Sequence, residues 1–278
     1  MITDAETNTV FLADSLVKQE EFFRSFNALL ESHRIVPAIL PHTKDIWAVD
    51  YMPIQVSKKR FVQFAYRPDY LVKYKKYHHL ITETSKVCQA IGCGAVISDI
   101  VLDGGNVIRG DDWVICTDKI FTENPRYTRT ALVSELEELL EARVIIIPRF
   151  PGDFTGHADG IVRHYSADTV LVNRYHDSDH PAFQRSLLKA LDKAGLGHIL
   201  IPYAPYGNDH AEEAHGLYIN FLQLQGLIVL PVFDLPEDAE ALSVMNLLFP
   251  DCELKVINAR CISAMGGVLN CITWNVQR

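Results

Sequence analysis

Cysteine is sparse in this chain. Six residues in 278 are too few for the disulfide framework of a small secreted domain. No apolar run is long enough to cross a bilayer. The opening MITDAETNTV has neither the basic stretch nor the apolar stretch of a secretory leader. The expectation is a cytoplasmic setting with no membrane partner. Basic residues are outnumbered, 26 Lys and Arg against 35 Asp and Glu, for a formal charge of -9 and an isoelectric point near 5.6. Such a surface repels phosphate backbones, which argues against nucleic acid, and weakly favours a cationic ligand. No Gly/Ser/Pro-rich linker and no low-complexity tract divides the chain, so one domain is expected over residues 1–278.

What is present is a repeat. HADGIVRHYSADTVLVNRYHDSDHPAFQRSLLKALDKAGLGHILIPYA reads as a strand over Ile161–Tyr165, a polar turn and a strand over Thr169–Asn173. A Pro-marked helix over Pro181–Ala194 and a strand over His198–Pro202 follow. Phe183, Leu187, Leu188 and Leu191 have helical spacing, while the flanking runs are short and β-branched. The same order recurs from GGNVIRGDDWVICTD, from GLYINFLQLQGLIVLP and from DYMPIQVSKKRFVQFAY, the last with a longer insert before its helix. A fifth copy is split: NCITWNV at the C-terminus supplies its first strand, and TNTVFLADSLVKQEEFFRSFNALLESHRIVPAIL at the N-terminus supplies the rest. Five strand–strand–helix–strand units, roughly 50 to 60 residues apart, predict an α/β fold. The predicted arrangement is a five-bladed, pseudo-fivefold α/β propeller closed by the two termini.

Each unit start carries a polar residue. Asp50 precedes the first strand of one unit and Asp103 stands before Gly104-Gly105-Asn106. His157 and Asp159 open the next unit. Asn220 and Cys271 are expected inside the first strands of the last two. In a ring, equivalent positions meet at the axis. Cysteine with histidine supplies a nucleophile and a proton shuttle, and Asp103 beside His157 would orient the ring and stabilise its cation. Asp50 and Asp159 are then surplus to a Cys-His-Asp hydrolase, and buried carboxylates need a positive partner. A guanidinium satisfies two of them with its forked donors and leaves its central carbon open to the thiol.

The stretches DIWAVDYMP, LDGGNVI, TGHADGIVR, YINFLQLQGLIVLP and GGVLNCIT resemble the guanidine-modifying hydrolases and transferases. The agmatine deiminase and bacterial peptidylarginine deiminase branch is the nearest likeness. The resemblance runs from Asp45 to Ile272 in family order. It implies the propeller fold, with Cys271 as nucleophile and His157 as general acid and base. Asp103 would hold the histidine, Asp50 and Asp159 would clamp the guanidinium, Asn220 would contact substrate, and Trp47 would line the pocket. It implies a covalent S-alkylthiouronium intermediate with no metal or organic cofactor, and a small cationic guanidino substrate such as agmatine as the partner. Oligomeric state stays open, a homodimer included. Three departures stand out. Val49 occupies a position that is commonly Arg, Asn270 one that is commonly His, and the tryptophan-containing N-terminal segment typical of agmatine deiminases is missing.

Other readings remain. His157, Asp159, Asp209, His210 and His215 could form a metal-dependent hydrolase, although NDHAEEAH fits no common zinc spacing. Val49 and Asn270 motivate a non-catalytic guanidine-binding protein. An amidinotransferase, or a deiminase of arginine or peptidylarginine, would use the same nucleophile. Arg126, Arg163 and Arg174 are the candidates to receive an α-carboxylate. The other cysteines, Cys88, Cys93, Cys116, Cys252 and Cys261, read as structural.

Overall fold

The structure is a computed structural model describing residues 1–175, 180–205 and 213–278. Among these, the strands form five three-stranded sheets of one design. Ile54–Ser57, Arg60–Ala65 and Val96–Val101 make one sheet and Ile108–Arg109, Trp113–Thr117 and Arg143–Ile147 the next. Val162–Ser166, Thr169–Asn173 and Gly197–Ile201 make the third, and Leu222–Leu224, Leu227–Val232 and Glu253–Asn258 the fourth. In every sheet the second strand lies in the middle, antiparallel to the first and parallel to the third. A parallel pair needs a crossover connection, and a helix supplies it each time.

The fifth sheet joins the two ends of the chain. Thr9–Ala13 pairs antiparallel with Thr273–Val276 and parallel with Ala38–Leu40. Side chains tie this C-terminal strand to its surroundings. Gln55 donates to the Gln277 carbonyl and accepts from its N–H at 2.9 and 2.8 Å, and Trp274 donates to the Pro53 carbonyl at 2.8 Å. The split unit read from the sequence is therefore present.

Three of the crossover helices bury a stripe spaced four residues apart, as a helix dictates. These are Phe22, Phe26 and Leu30 in Glu20–Ser32, Leu132, Leu136 and Leu140 in Arg129–Leu140, and Phe183, Leu187 and Leu191 in Pro181–Ala194. Of the glutamates of ELEELLEAR, Glu138 and Glu141 are exposed, and Glu135 and Glu137 are half-buried beside the stripe. Pro181, whose missing N–H costs nothing in a first turn, starts the last of these helices. Gly195, at φ +76°, ends it in a left-handed cap. Middle strands such as Trp113–Thr117 are buried throughout, while third strands such as Arg143–Ile147 alternate. The third strand is the solvent edge of each sheet.

In one respect the local reading was wrong. Asn220 and Cys271 do not lie in strands. Each sits in a turn two residues ahead of its strand, Leu222–Leu224 and Thr273–Val276. YINF and VLNCI look like strand because their apolar members, Tyr218, Ile219, Val268, Leu269 and Ile272, are fully buried.

Candidate active site

All five unit starts are turns leading into a first strand. Asp50 is on the helical turn Ala48–Tyr51 and Asp103 caps the 3-10 turn Gly104–Asn106. The turns are joined to one another by hydrogen bonds. Val49 N–H donates to the Cys271 carbonyl at 3.3 Å. Cys271 N–H donates to Asn220 Oδ1 at 3.3 Å, and Leu269 and Asn270 N–H donate to the Asn220 carbonyl at 3.1 Å. Asn220 Nδ2 donates to Asp159 Oδ2 at 3.0 Å, Asp159 N–H to the Gly105 carbonyl at 3.0 Å, and Gly105 N–H to Asp50 Oδ1 at 3.0 Å. The chain of bonds returns to the turn it began from.

These turns open on a cavity of about 350 Å³ lined by Trp47, Asp50, His157, Asp159, Asn220 and Cys271. Asp103 is not on the cavity wall. It stands behind the histidine, 2% exposed, with Oδ2 3.1 Å from His157 Nε2. The other ring nitrogen, Nδ1, lies 3.5 Å from Asp50 Oδ1. Cys271 Sγ is 3.4 Å from Asp159 Oδ2. All seven residues singled out in the sequence are thus in one place.

Two glycines make this density possible. A Cβ on Gly105 would come within 2.6 Å of both Asp50 Oδ1 and His157 Nδ1. One on Gly267 would meet the Trp47 ring at 2.6 Å and Cys271 Sγ at 3.1 Å. Only a residue without a side chain lets the backbone pass there.

Charge in the site is one-sided. Burial drives the Asp50 carboxyl up to about 8, with Asp103, Asp159 and Asp45 adding to the push and His157 opposing it. Burial works against the His157 imidazolium, but Asp50, Asp103 and Asp159 outweigh it and raise the group to about 10. Burial holds the Cys271 thiol well above its ordinary range, reinforced by Asp159 and Asp50. Asp45 and Glu123 are each pushed up to about 7, again chiefly by burial. The empty site therefore favours a proton on Asp50 and on the thiol. A bound cation would reverse both preferences.

This has a consequence for stability. Asp45, Asp50, Glu123 and His157 all hold protons more tightly folded than unfolded, so the native state binds more protons. Their contribution is complete below the unfolded carboxyl and imidazole values. It is lost as pH rises towards about 7 for Asp45 and Glu123, 8 for Asp50 and 10 for His157. His164, lowered mainly by burial, opposes this only below its ordinary range. Ligand-free protein is expected to melt about 5 °C or more lower at pH 9 than at pH 6. A melting temperature that is flat or rising over that interval, read by calorimetry, would contradict the buried acids.

Sequence reasoning missed several neighbours. Asn270, noted only as a departure, donates to Asp159 Oδ2 at 2.7 Å. Tyr70, from the insert before the helix Thr84–Ile91, lines the cavity. Lys119 Nζ lies 5.0 Å from its ring and pairs with Asp69 and Glu123 at 3.1 and 3.2 Å. The run YRPDYLVKYKKYHH was a compositional signal for this wall but carries no periodicity. The outer cavity is aromatic, with Phe150, Phe154, Tyr175 and Tyr203, and includes Asp153 and Glu213. No Lys or Arg is among its described lining residues.

Of the arginines expected near a substrate carboxylate, Arg163 is buried against Asp4 at 2.7 Å. Arg126 pairs with Asp99 and Arg174 with Glu240. None of the three lines the cavity. Of the alternative metal set, Asp209 and His210 lie outside the described residues, and His215 Nδ1 is 2.6 Å from Ser263 Oγ.

Residues 1–276 match the family model of the Porphyromonas-type peptidyl-arginine deiminases. The chain belongs to that family. An agmatine deiminase of Pseudomonas aeruginosa (strain LESB58) is 28% identical over 208 residues, 63% of this chain and 56% of that enzyme. The chain thus spans just over half the length of that curated relative. Among solved structures, a C. jejuni agmatine deiminase with substrate bound superposes with a TM-score of 0.79 at 17% identity, covering 100% of this chain and 96% of that one. An agmatine deiminase of Enterococcus faecalis gives 0.78 at 18%, covering 100% and 95%. At these identities the structural likeness speaks for the fold, a mixed α/β fold of small sheets shared with the peptidyl-arginine deiminase family.

Proposed function

We propose that this protein is a cysteine-dependent deiminase of a small guanidino compound, with residues 1–278 forming one catalytic domain. We place its five units around a pseudo-fivefold axis as the blades of an α/β propeller. The hydrogen-bond loop from Val49 through Cys271, Asn220, Asp159 and Gly105 to Asp50 supports this ring. One observation carries the chemistry. A thiol, an imidazole and two carboxylates share one cavity, with a third carboxylate behind the imidazole.

Asp50 and Asp159 bind the two edges of the guanidinium, a positioning effect that presents its central carbon to Cys271. The arriving cation offsets the carboxylates that hold the thiol protonated, so the thiol gives its proton to solvent as substrate binds. The thiolate attacks the central carbon. His157, charged between Asp50 and Asp103, gives its proton to the departing nitrogen, and ammonia leaves behind an S-alkylthiouronium. Neutral His157 then takes a proton from water, the resulting hydroxide attacks the same carbon, and the Cys271 thiolate leaves. The sum is guanidinium plus water to ureido product plus ammonium. The steps use these side chains and one water.

The far end of the cavity supports agmatine or a similar amine over arginine. Its aromatic walls with Asp153 and Glu213 suit a cation or an apolar tail, and no Lys or Arg is among its described lining residues. A volume of about 350 Å³ suits a small molecule better than a peptide. The test is ammonia release from agmatine, arginine, methylated arginines and a peptide ending in arginine. Agmatine is expected to exceed arginine in kcat/KM by about tenfold or more. Turnover of the peptide alone would overturn the substrate and keep the mechanism. Binding without ammonia from any compound would favour a guanidine-binding protein, and transfer to an added amine in place of water would mark an amidinotransferase.

A further inference from the structure

We propose that Asn270 is a positioning residue: its amide shares Asp159 Oδ2 with the Cys271 thiol and so weakens that carboxylate's hold on the thiol proton. The inference rests on the reading of Cys271 as nucleophile and Asp159 as guanidinium clamp. Asp159 Oδ2 accepts three donors of graded length, Asn270 Nδ2 at 2.7 Å, Asn220 Nδ2 at 3.0 Å and Cys271 Sγ at 3.4 Å. A carboxylate oxygen has two good acceptor directions. The two amides and the thiol compete for them, the thiol at a length ordinary for an S–H···O contact.

Asn270 acts from outside the reaction cavity. It is 6% exposed and borders a separate small cavity, of about 30 Å³, with Asp4, Arg109 and Arg163. Its backbone is anchored independently of its side chain: its N–H donates to the Asn220 carbonyl and its carbonyl accepts from Thr273 N–H. Removing the side chain therefore takes away one bond to Asp159 and leaves the turn. An amide also does not titrate in the working range, so its grip on Asp159 is the same at every pH. An imidazole in its place would gain charge as pH falls and compete with a guanidinium for the same oxygen.

Without Asn270, Asp159 Oδ2 has an open acceptor direction beside the thiol. The S–H then shares that oxygen with Asn220 alone, and the thiolate becomes harder to form. The other titratable groups described on this cavity are Asp50, His157, Asp153, Glu213, His215, Tyr70, Tyr175 and Tyr203, with Asp103 behind His157. The substitution leaves all of them in place.

The experiment is iodoacetamide alkylation of Cys271 in the substrate-free full chain from pH 6 to 10, followed by peptide mass spectrometry. Exposed Cys261 serves as the internal control. Asn270→Ala is expected to slow Cys271 alkylation about tenfold at pH 8 and to move its pH profile up by about one unit. Cys261 should be unaffected. Asn270→His, which restores a donor, should return the rate to within about threefold of the original above pH 7.5, where imidazole is neutral. Asn270→Leu, nearly isosteric and without a donor, gives the same readout if the alanine variant folds poorly. Profiles for the alanine and leucine variants that coincide with the parent overturn the proposal, as does failure of histidine to rescue. The readout does not depend on turnover. A shifted profile in a protein that deiminates nothing would leave Asn270 in this role and remove the deiminase reading instead.

Discussion

Cys271→Ser is expected to release no measurable ammonia from any guanidine that the parent enzyme turns over. The loss in kcat should be on the order of 10⁴-fold or more, because a serine hydroxyl has no base here to make it a comparable nucleophile. The melting temperature should change little, since a serine hydroxyl can keep the polar contacts that Sγ makes with Asp159, Asn220 and the Val268 backbone. Labelling separates this thiol from the others by charge rather than by exposure. Cys261 is the exposed cysteine, whereas Cys271 is half-buried at the floor of an acidic cavity. A neutral alkylating amide should modify Cys261 first. A haloacetamidine, whose amidinium mimics the guanidinium edge that we propose Asp50 and Asp159 hold, should modify Cys271 first. Full activity in the serine variant, or the same labelling order with both reagents, would sink the nucleophile assignment.

The repeat was legible because each unit is a local pattern. An alternating or β-branched run, a Pro or Gly boundary and a helical stripe such as Phe183, Leu187 and Leu191 are all encoded within about 50 residues. The pairing of Thr9–Ala13 with Thr273–Val276 followed from counting units, since a first strand without its partners needs a place to go. What could not be read was where a buried turn ends and a strand begins. Burial of Ile219 and Phe221, or of Leu269 and Ile272, depends on packing against other units, and apolar patterning is blind to the hydrogen bonds that distinguish turn from strand. Asn270 was invisible as a partner for a related reason. An asparagine beside a cysteine has no periodicity to betray that its amide meets Asp159, 111 residues away. Tyr70 reaches the cavity only through the insert held by Lys119 and Asp69, and such a contact leaves no trace in local sequence. Arg163 stands in the Val162–Ser166 strand that follows the His157 and Asp159 turn, yet it pairs with Asp4 away from the reaction cavity.

Asp159→Asn is the substitution expected to damage substrate recognition most while sparing the fold. In the parent, Asp159 Oδ2 receives the amides of Asn270 and Asn220. To keep those donors satisfied, the new amide must turn its carbonyl oxygen towards them. Its NH2 then faces the cavity, where a guanidinium presents only N–H groups. A charged acceptor is replaced by a donor aimed at donors. The cost is expected to be about 3 kcal/mol in kcat/KM, on the order of 100-fold, falling mainly on KM. Stability should move the other way. Asp159 adds to the repulsion that keeps a proton on Asp50 and on Cys271, so removing its charge relieves a crowded group of carboxylates when no cation is bound. The variant should therefore melt at or above the parent temperature at pH 8 without substrate. Asp103→Asn, which changes the partner of His157 rather than a cavity wall, should instead lower kcat with KM nearly kept. Steady-state kinetics with agmatine beside melting curves would test both. An Asp159→Asn enzyme with unchanged KM would show that the guanidinium is held elsewhere.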